Sequence, residues 1–297
     1  MTFKSTQSGA GQKLPGTPEP MLRIKGYDGL TLAADAWGDP QGKVVMLLHG
    51  GGQTRHAWKG TGEILAASGY YALALDARGH GDSEWAQESG YGYEVMIEDL
   101  KCVLASINKT APILVGASMG GVTSLIAAGE THIPASALVL VDVAPNIEPE
   151  GVNKINEFMT QSPEGFHSLE EVAQAISNYQ PHRKRPKNLD GLAKNVRLRA
   201  DGMYKWHWDP NYRKVHRHND QSRIRLESAA KNLQLPTLLV CGGLSDVLSE
   251  EGAQAFLQIC PCASYVNVKG TGHMVAGDRN DIFADAVIEF LKKYSPA

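Results

Sequence analysis

Three side chains in this sequence have the types, neighbours and chain order to work together: a serine, an aspartate and a histidine, each placed in a glycine-bearing loop. An apolar run at 113–115 leads into Gly116-Ala117-Ser118-Met119-Gly120-Gly121, a G-x-S-x-G pattern, and then into a helix-forming stretch at 122–128. A side chain on so sharp a strand-to-helix turn is held in a strained backbone, and Gly116 and Gly120 let neighbouring backbone pass closely. Ser118 Oγ would then project at a helix N-terminus, whose free N–H groups and dipole favour developing negative charge. A hydroxyl is a weak nucleophile until a base takes its proton, so a histidine is needed, with a carboxylate to orient it. Of ten histidines, His273 in Gly270-Thr271-Gly272-His273-Met274 is the one in a glycine-rich loop between the last expected strand and the last expected helix. For the acid the sequence favours Asp246, which follows the strand at 237–240 through Gly242-Gly243-Leu244-Ser245, a loop rich enough in glycine to reach under His273. Asp142, in Val141-Asp142-Val143 at the end of the preceding strand, is the alternative.

An attacked carbonyl also needs donors for its oxyanion. The run at 44–48 (VVMLL) passes straight into His49-Gly50-Gly51-Gly52-Gln53, and the N–H of Gly51 pairs naturally with that of Met119, the residue after the nucleophile. Such donors contribute on the order of 3 kcal/mol each to a transition state. Met119, Val247, Met274, Trp206 and Trp208 suggest an apolar pocket, with Trp206-His207-Trp208 read as either its wall or the core of the segment that carries them. Arg55 or an arginine of that segment is the candidate to hold a substrate carboxylate. His49 and His80 read as hydrogen-bonded loop residues, and His56 with Trp58 as either pocket mouth or packing. His216 and His218 have no third ligand at sensible spacing, so no metal is assigned.

The elements that must position these groups alternate. Short apolar runs at 44–48, 71–75, 113–115, 138–141, 237–240 and 265–268 suit strands buried on both faces, and helical stretches at 57–67, 93–107, 119–128, 250–259 and 281–294 separate them. A hairpin at 22–25 and 30–37 opens the pattern. The alternation stops at Pro145 and resumes at Leu235-Pro236, leaving a polar segment with helical signal at 169–176 and 189–199. An insertion at the carboxyl edge of a parallel sheet would lie over the crevice where such sheets bind ligands. The expected division is a flexible tail at 1–20, a core at 21–145 and 233–297, and a helical cap at 146–232.

Composition narrows the partners. A chain of 297 residues with 42% hydrophobic and 21% charged residues is long enough to bury a core without disulfide or metal support. Its 29 basic against 32 acidic residues offer no broad positive field, so nucleic acid is not expected, and the basic run at 182–187 reads as a solvated loop. Four scattered cysteines suit a reducing cytoplasm. No apolar stretch is long enough for a membrane span, and a small molecule is the expected partner, with a homo-oligomer left open.

Five motifs in register make the chain resemble the α/β-hydrolase superfamily: LLHGGG at 47–52, DARGHGDS at 76–83, VGASMGG at 115–121, CGGLSD at 241–246 and GTGH at 270–273. The resemblance implies an α/β fold with an eight-stranded, mostly parallel sheet, a helical cap between strands six and seven, a catalytic triad and no cofactor. Members cleave esters, lactones, amides, thioesters, epoxides, carbon–halogen or activated carbon–carbon bonds. A serine at the elbow is unlike the epoxide hydrolases and haloalkane dehalogenases, which carry aspartate there. The expected function is hydrolysis of a small to medium carboxylic ester or lactone through an acyl-enzyme, with Ser118 as nucleophile, His273 as base and Asp246 as orienting acid. Carbon–carbon hydrolysis of aromatic ring-cleavage products, perhydrolase or haloperoxidase-like activity, and a receptor-like binding protein are the alternatives.

Overall fold

The computed structural model describes residues 11–87, 90–181, 189–215, 220–275 and 280–297. Eight strands form one sheet in the order β1-β2-β4-β3-β5-β6-β9-β10. β1 (Leu22–Lys25) and β2 (Thr31–Trp37) pair antiparallel, and β2 pairs antiparallel with β4 (Tyr71–Leu75). From there β3 (Val44–Leu48), β5 (Ile113–Ala117), β6 (Ala137–Val141), β9 (Thr237–Gly242) and β10 (Ala263–Val268) all run parallel to their neighbours. β3, β4 and β6 are buried at every position, as continuous apolar runs covered on both faces must be.

Alternation along these strands sends side chains to two helical layers. Met46, Leu48, Leu114, Leu138 and Leu140 face α2 (Tyr93–Ser106), α3 (Met119–Gly129) and α8 (Glu250–Ile259), whose Leu100, Val103, Leu125 and Phe256 complete one core. Val45, Leu47, Val115, Val139 and Val240 face α1 (Lys59–Ala67) and α9 (Asn280–Tyr294), which supply Leu65, Phe283, Val287 and Leu291. Each fully buried side chain of this size stabilises the fold by roughly 1.5–3 kcal/mol.

Between the sixth and seventh strands of the sheet, counted along the chain, lies the inserted segment. It holds α4 (Pro149–Thr160), α5 (Leu169–Tyr179), a 3₁₀ turn (Asp190–Asn195), a hairpin of β7 (Val196–Leu198) and β8 (Tyr204–Trp206), and the short α6 (Tyr212–Val215). The helix expected at 189–199 is thus a turn followed by a strand. Val196 and Leu198 alternate at a period of two and pair with Trp206 and Tyr204, and this cross-strand pairing overrides the local helical pattern.

Two of the expected boundaries are corrected. α7 (Asp220–Lys231), counted with the cap, packs on α3, and its Leu226, Ala229 and Ala230 are buried in the same core as β6. The tail expected at 1–20 is held in place at Gln12, whose backbone exchanges hydrogen bonds with Leu198. Lys13 then reaches Asp82 at 3.2 Å, and the Pro18 carbonyl accepts from Arg55. These partners lie far along the chain, so composition near the N-terminus could not show them. Residues 1–10, the basic run at 182–187, and His216 and His218 lie outside the described residues.

α3 and α7 touch through backbone. A Cβ on Gly129 would stand 2.3 Å from the carbonyl oxygen of Ala229, so the two helices approach with no side chain between them. Gly129→Ala is expected to force them apart and lower stability by about 1–3 kcal/mol, read as a shift of the denaturant midpoint. An unchanged midpoint would show that α7 is not fixed to the core.

Candidate active site

The sheet's carboxyl edge gathers the chemistry. Ser118 follows β5 and caps α3 at φ 46°, ψ −113°, a conformation that L residues adopt only under constraint. The constraint is backbone contact on both sides of the turn. A Cβ at Gly116 would stand 2.3 Å from the Gly120 carbonyl oxygen, and one at Gly120 would stand 2.4 Å from that of Leu48. The Gly120 N–H donates to the carbonyl of His49 at 3.2 Å, tying the start of α3 to the loop after β3. Met119 is the first residue of α3, where a backbone N–H has no acceptor within the helix. Gly51 lies in the loop facing it, and both line the cavity that Ser118 lines.

His273 and a carboxylate meet at the same edge, and the carboxylate is that of Asp142. Its Oδ2 lies 2.7 Å from His273 Nδ1 and accepts the Ser245 hydroxyl at 2.5 Å, while Oδ1 accepts the Gly242 N–H at 2.9 Å. Asp142 is fully buried at φ 51°, immediately after β6. An ionised carboxylate only accepts, so the proton between the two belongs on Nδ1, and Nε2 keeps its lone pair. Asp246 does not reach the histidine. Its loop closes early, with Gly243 and Leu244 donating to the carbonyls of Val268 and Thr271 and Ser245 turning back to Gly242, so it is Ser245 that arrives under His273. Asp246 stands half-exposed, 3.2 Å from Lys154 Nζ of α4.

Arg55 also departs from expectation. It is fully buried away from the cavity wall, donating to both oxygens of Asp76 and to Asp82, with Asp35 Oδ1 at 3.1 Å from its Nε. Burial alone would lower its pKa, but the three carboxylates hold it above the ordinary arginine value. Asp82 is shared with Arg197 of β7, which donates to Asp82 Oδ1 at 3.0 Å and to the Gly81 carbonyl at 2.6 Å. The DARGHGDS stretch therefore fastens the cap hairpin and the N-terminal segment to the core.

Three buried histidines carry no catalytic contact. His49 accepts the Ala77 N–H on Nε2 and so bears its proton on Nδ1, 2.8 Å from the Gly50 carbonyl. His80 packs edge-on against Tyr212. His207, from the cap, accepts the Gly81 N–H on Nδ1 at 2.8 Å and places Nε2 3.2 Å from the Gly52 carbonyl. It thereby bridges the core loop, the cap and the glycine loop beside Ser118. Gln53 adds a second tie, accepting the Gly50 N–H on Oε1 while its Nε2 lies against Met274 Sδ, next to His273.

The cavity has a volume of about 1580 Å³. Val247, Met274, Trp206 and Trp208 line it, the two indoles stacked at 4.8 Å and also packed into the cap core with Phe158 and Phe166, so both readings of these tryptophans hold. Sequence reasoning missed Lys194, Gln180 and Asn156 on the same wall; their surroundings come from cap packing, which no local pattern announces. Among the described residues no group of three or more His, Cys, Asp or Glu could hold a metal ion, and no helix is long and apolar enough to cross a membrane.

A family model described as alpha/beta hydrolase fold matches residues 43–279. The chain belongs to that family. It is a hydrolase, and the sheet order, the elbow and the inserted cap are the family's architecture in this protein. It is 27% identical over 270 residues to an esterase of Mycobacterium tuberculosis, covering 89% of this chain and 87% of that protein. It is also 27% identical over 257 residues to the 3-hydroxybutyrate-oligomer hydrolase of Cupriavidus necator, covering 82% of this chain and 86% of that protein. A solved structure of the M. tuberculosis esterase superposes with a TM-score of 0.68 at 25% identity over 93% of this chain and 92% of that one. An alpha/beta hydrolase from Novosphingobium aromaticivorans gives 0.74 at 23% identity, over 91% and 97%.

Burial holds His207 well below the usual histidine pKa, and Arg197 beside it acts in the same direction. The folded chain thus excludes a proton that the unfolded chain binds near pH 6.5, and stability falls as pH drops below that value. The slope for one such group approaches about 1.4 kcal/mol per pH unit. Denaturant unfolding measured from pH 7 to 5 is expected to show this decline, and His207→Gln to make it shallower. An identical slope in the variant would count against a neutral, buried His207.

Proposed function

We propose that this hydrolase cleaves a carboxylic ester through an acyl-enzyme formed on Ser118. The observation that carries the reading is the Asp142–His273 contact of 2.7 Å beside a cavity that also exposes the strained Ser118. With Nδ1 bonded to Asp142, His273 Nε2 is the basic nitrogen available to take the Ser118 proton. The hydroxyl attacks the ester carbonyl, and the carbonyl oxygen gains negative charge against the N–H groups of Gly51 and Met119. His273 then returns the proton to the departing alcohol oxygen. In the second half it removes a proton from water, which attacks the acyl carbon and frees Ser118. Asp142 stays ionised throughout and holds the imidazole in its tautomer.

Two features support ester cleavage over other bonds. Serine at the elbow gives an acyl rather than an alkyl intermediate. The similar proteins from M. tuberculosis and C. necator are named as an esterase and a 3-hydroxybutyrate-oligomer hydrolase, each matching along more than four fifths of both chains. The cavity's stacked indoles and methionines suit an acyl chain of medium length.

Asp142→Asn is expected to reduce kcat on a p-nitrophenyl ester by about 10⁴, since the amide favours the wrong tautomer of His273. Asp246→Asn, which removes a half-exposed ion pair, is expected to stay within about threefold, because such pairs contribute little. A fluorophosphonate should label the wild type and not Ser118→Ala. Should Asp246→Asn prove the damaging variant and Asp142→Asn the mild one, the assignment of the acid is wrong.

A further inference from the structure

The cap wall of the cavity carries three polar groups with no protein partner among the described residues. The Lys194 ammonium is half-buried, and no carboxylate among the described residues pairs with it. The indole Nε1 of Trp206 and the amide Oε1 of Gln180 are buried without a hydrogen bond, although both side chains are about 95% buried. All three line one cavity, and the elements around them are in contact. Trp206 pairs with Val196 across the cap hairpin, two residues beyond Lys194, and α5, which ends just before Gln180, packs on the 3₁₀ turn that contains Lys194. The backbone of Asn195, next to Lys194, accepts the His207 N–H at 3.2 Å, and His207 in turn reaches Gly52 of the loop beside Ser118. Burial, with Arg55, lowers the pKa of His56, another cavity residue, and Lys194 lies close enough to add a smaller push in the same direction.

A buried donor or acceptor left without a partner is costly, so the two unsatisfied atoms beside the unpaired Lys194 ammonium imply a ligand that engages this wall. Their chemistry fixes its class. Lys194 offers a positive charge and Trp206 an N–H that can only donate, while the Gln180 amide can turn to present either its oxygen or its NH₂ group. A ligand facing all three must therefore accept hydrogen bonds and carry negative charge. The other arginines of the cavity are engaged: Arg225 with Glu130 and Glu94, Arg223 with Glu227, and Arg213 with Asn156.

We propose that Lys194, Trp206 and Gln180 form a carboxylate subsite in the cap, and that the substrate is an ester bearing a second, free carboxylate. The inference rests on the ester-hydrolase reading of the same cavity. The reacting ester sits at Ser118 on the sheet edge, and the distant carboxylate seats against the cap, where an indole wall excludes water and strengthens the Lys194 contact.

Monoethyl adipate and ethyl hexanoate are esters of nearly equal length that differ in the terminal carboxylate, and their hydrolysis can be followed by pH-stat at low ionic strength. The wild type is expected to favour monoethyl adipate by at least tenfold in kcat/KM, mainly through KM. Lys194→Met should bring the ratio of the two esters close to one, and Lys194→Arg should retain it. The ratio is internal to each preparation, so partial loss of folded protein does not alter it. Equal use of both esters by the wild type, or an unchanged ratio in Lys194→Met, overturns the subsite and leaves the esterase reading standing. If neither ester is cleaved, titration of the wild type with adipate decides separately. Binding that Lys194→Met abolishes supports the subsite and refutes only the reaction, whereas no binding refutes the subsite as well.

Discussion

Backbone contact beneath the elbow is the constraint on which this site depends. α3 starts so close to the end of β3 that nothing larger than hydrogen fits at Gly120, and β5 passes so close to α3 that the same is true at Gly116. With both sides fixed, Ser118 is left the only conformation that links them, at φ 46°. A conformation of this kind costs roughly 1–3 kcal/mol and persists only where surrounding structure over-determines it. Here the surrounding structure is the sheet itself, through Leu48, His49 and Val141, the last of which accepts the Ser118 N–H. The same clamp sets the Ser118 hydroxyl and the N–H of Met119, at the start of α3, by one geometric requirement, and these are the nucleophile and oxyanion donor of the proposed reaction.

The cap is held to that edge by charge as well as packing. Asp82 accepts from Arg55, Arg197 and Lys13, which belong to the core, the cap hairpin and the N-terminal segment respectively. Burial raises the pKa of such a carboxylate, yet Arg55 and Arg197 reverse the effect and hold it below the ordinary value. A buried ion cluster of this kind is weak as a source of net stability and strict about geometry, because losing one partner strands the others in a dry interior. His207 adds a neutral bridge from the cap to Gly52. The position of the glycine loop beside Ser118 is therefore coupled to the seating of the cap hairpin.

Most of the sheet was legible in the sequence because its strands are continuous apolar runs, and several predicted bounds coincide with the observed ones at β1, β3, β4 and α8. The elbow was legible because glycine spacing there reports close backbone approach. The acid was not. Asp142 and Asp246 both follow sheet strands, and in the sequence the glycine content before Asp246 reads as reach. In the structure the turn from Gly242 to Ser245 consumes that reach, and the serine hydroxyl arrives at Asp142. Arg55 was misread for a related reason: its three carboxylate partners come from β2 and from the stretch after β4, and only folding brings them together. The cap was least legible, since its hairpin and α7 owe their conformations to tertiary partners.

Polar groups are treated differently on the two walls of the cavity, bonded at the sheet edge and left open on the cap. At the sheet edge Asp142 has both oxygens bonded, His49 has both ring nitrogens bonded, and Ser245 serves two backbone N–H groups besides Asp142. These bonds hold the loops at the sheet edge in one arrangement. Across the cavity, Trp206 Nε1 and Gln180 Oε1 are buried with no such bonds. A fold tolerates buried polar atoms of that sort when a bound molecule completes them, and it can do so more readily on an inserted cap than in the sheet, where a vacancy would weaken the elbow. On the proposed function, the sheet edge selects the bond attacked and the cap selects the molecule that carries it.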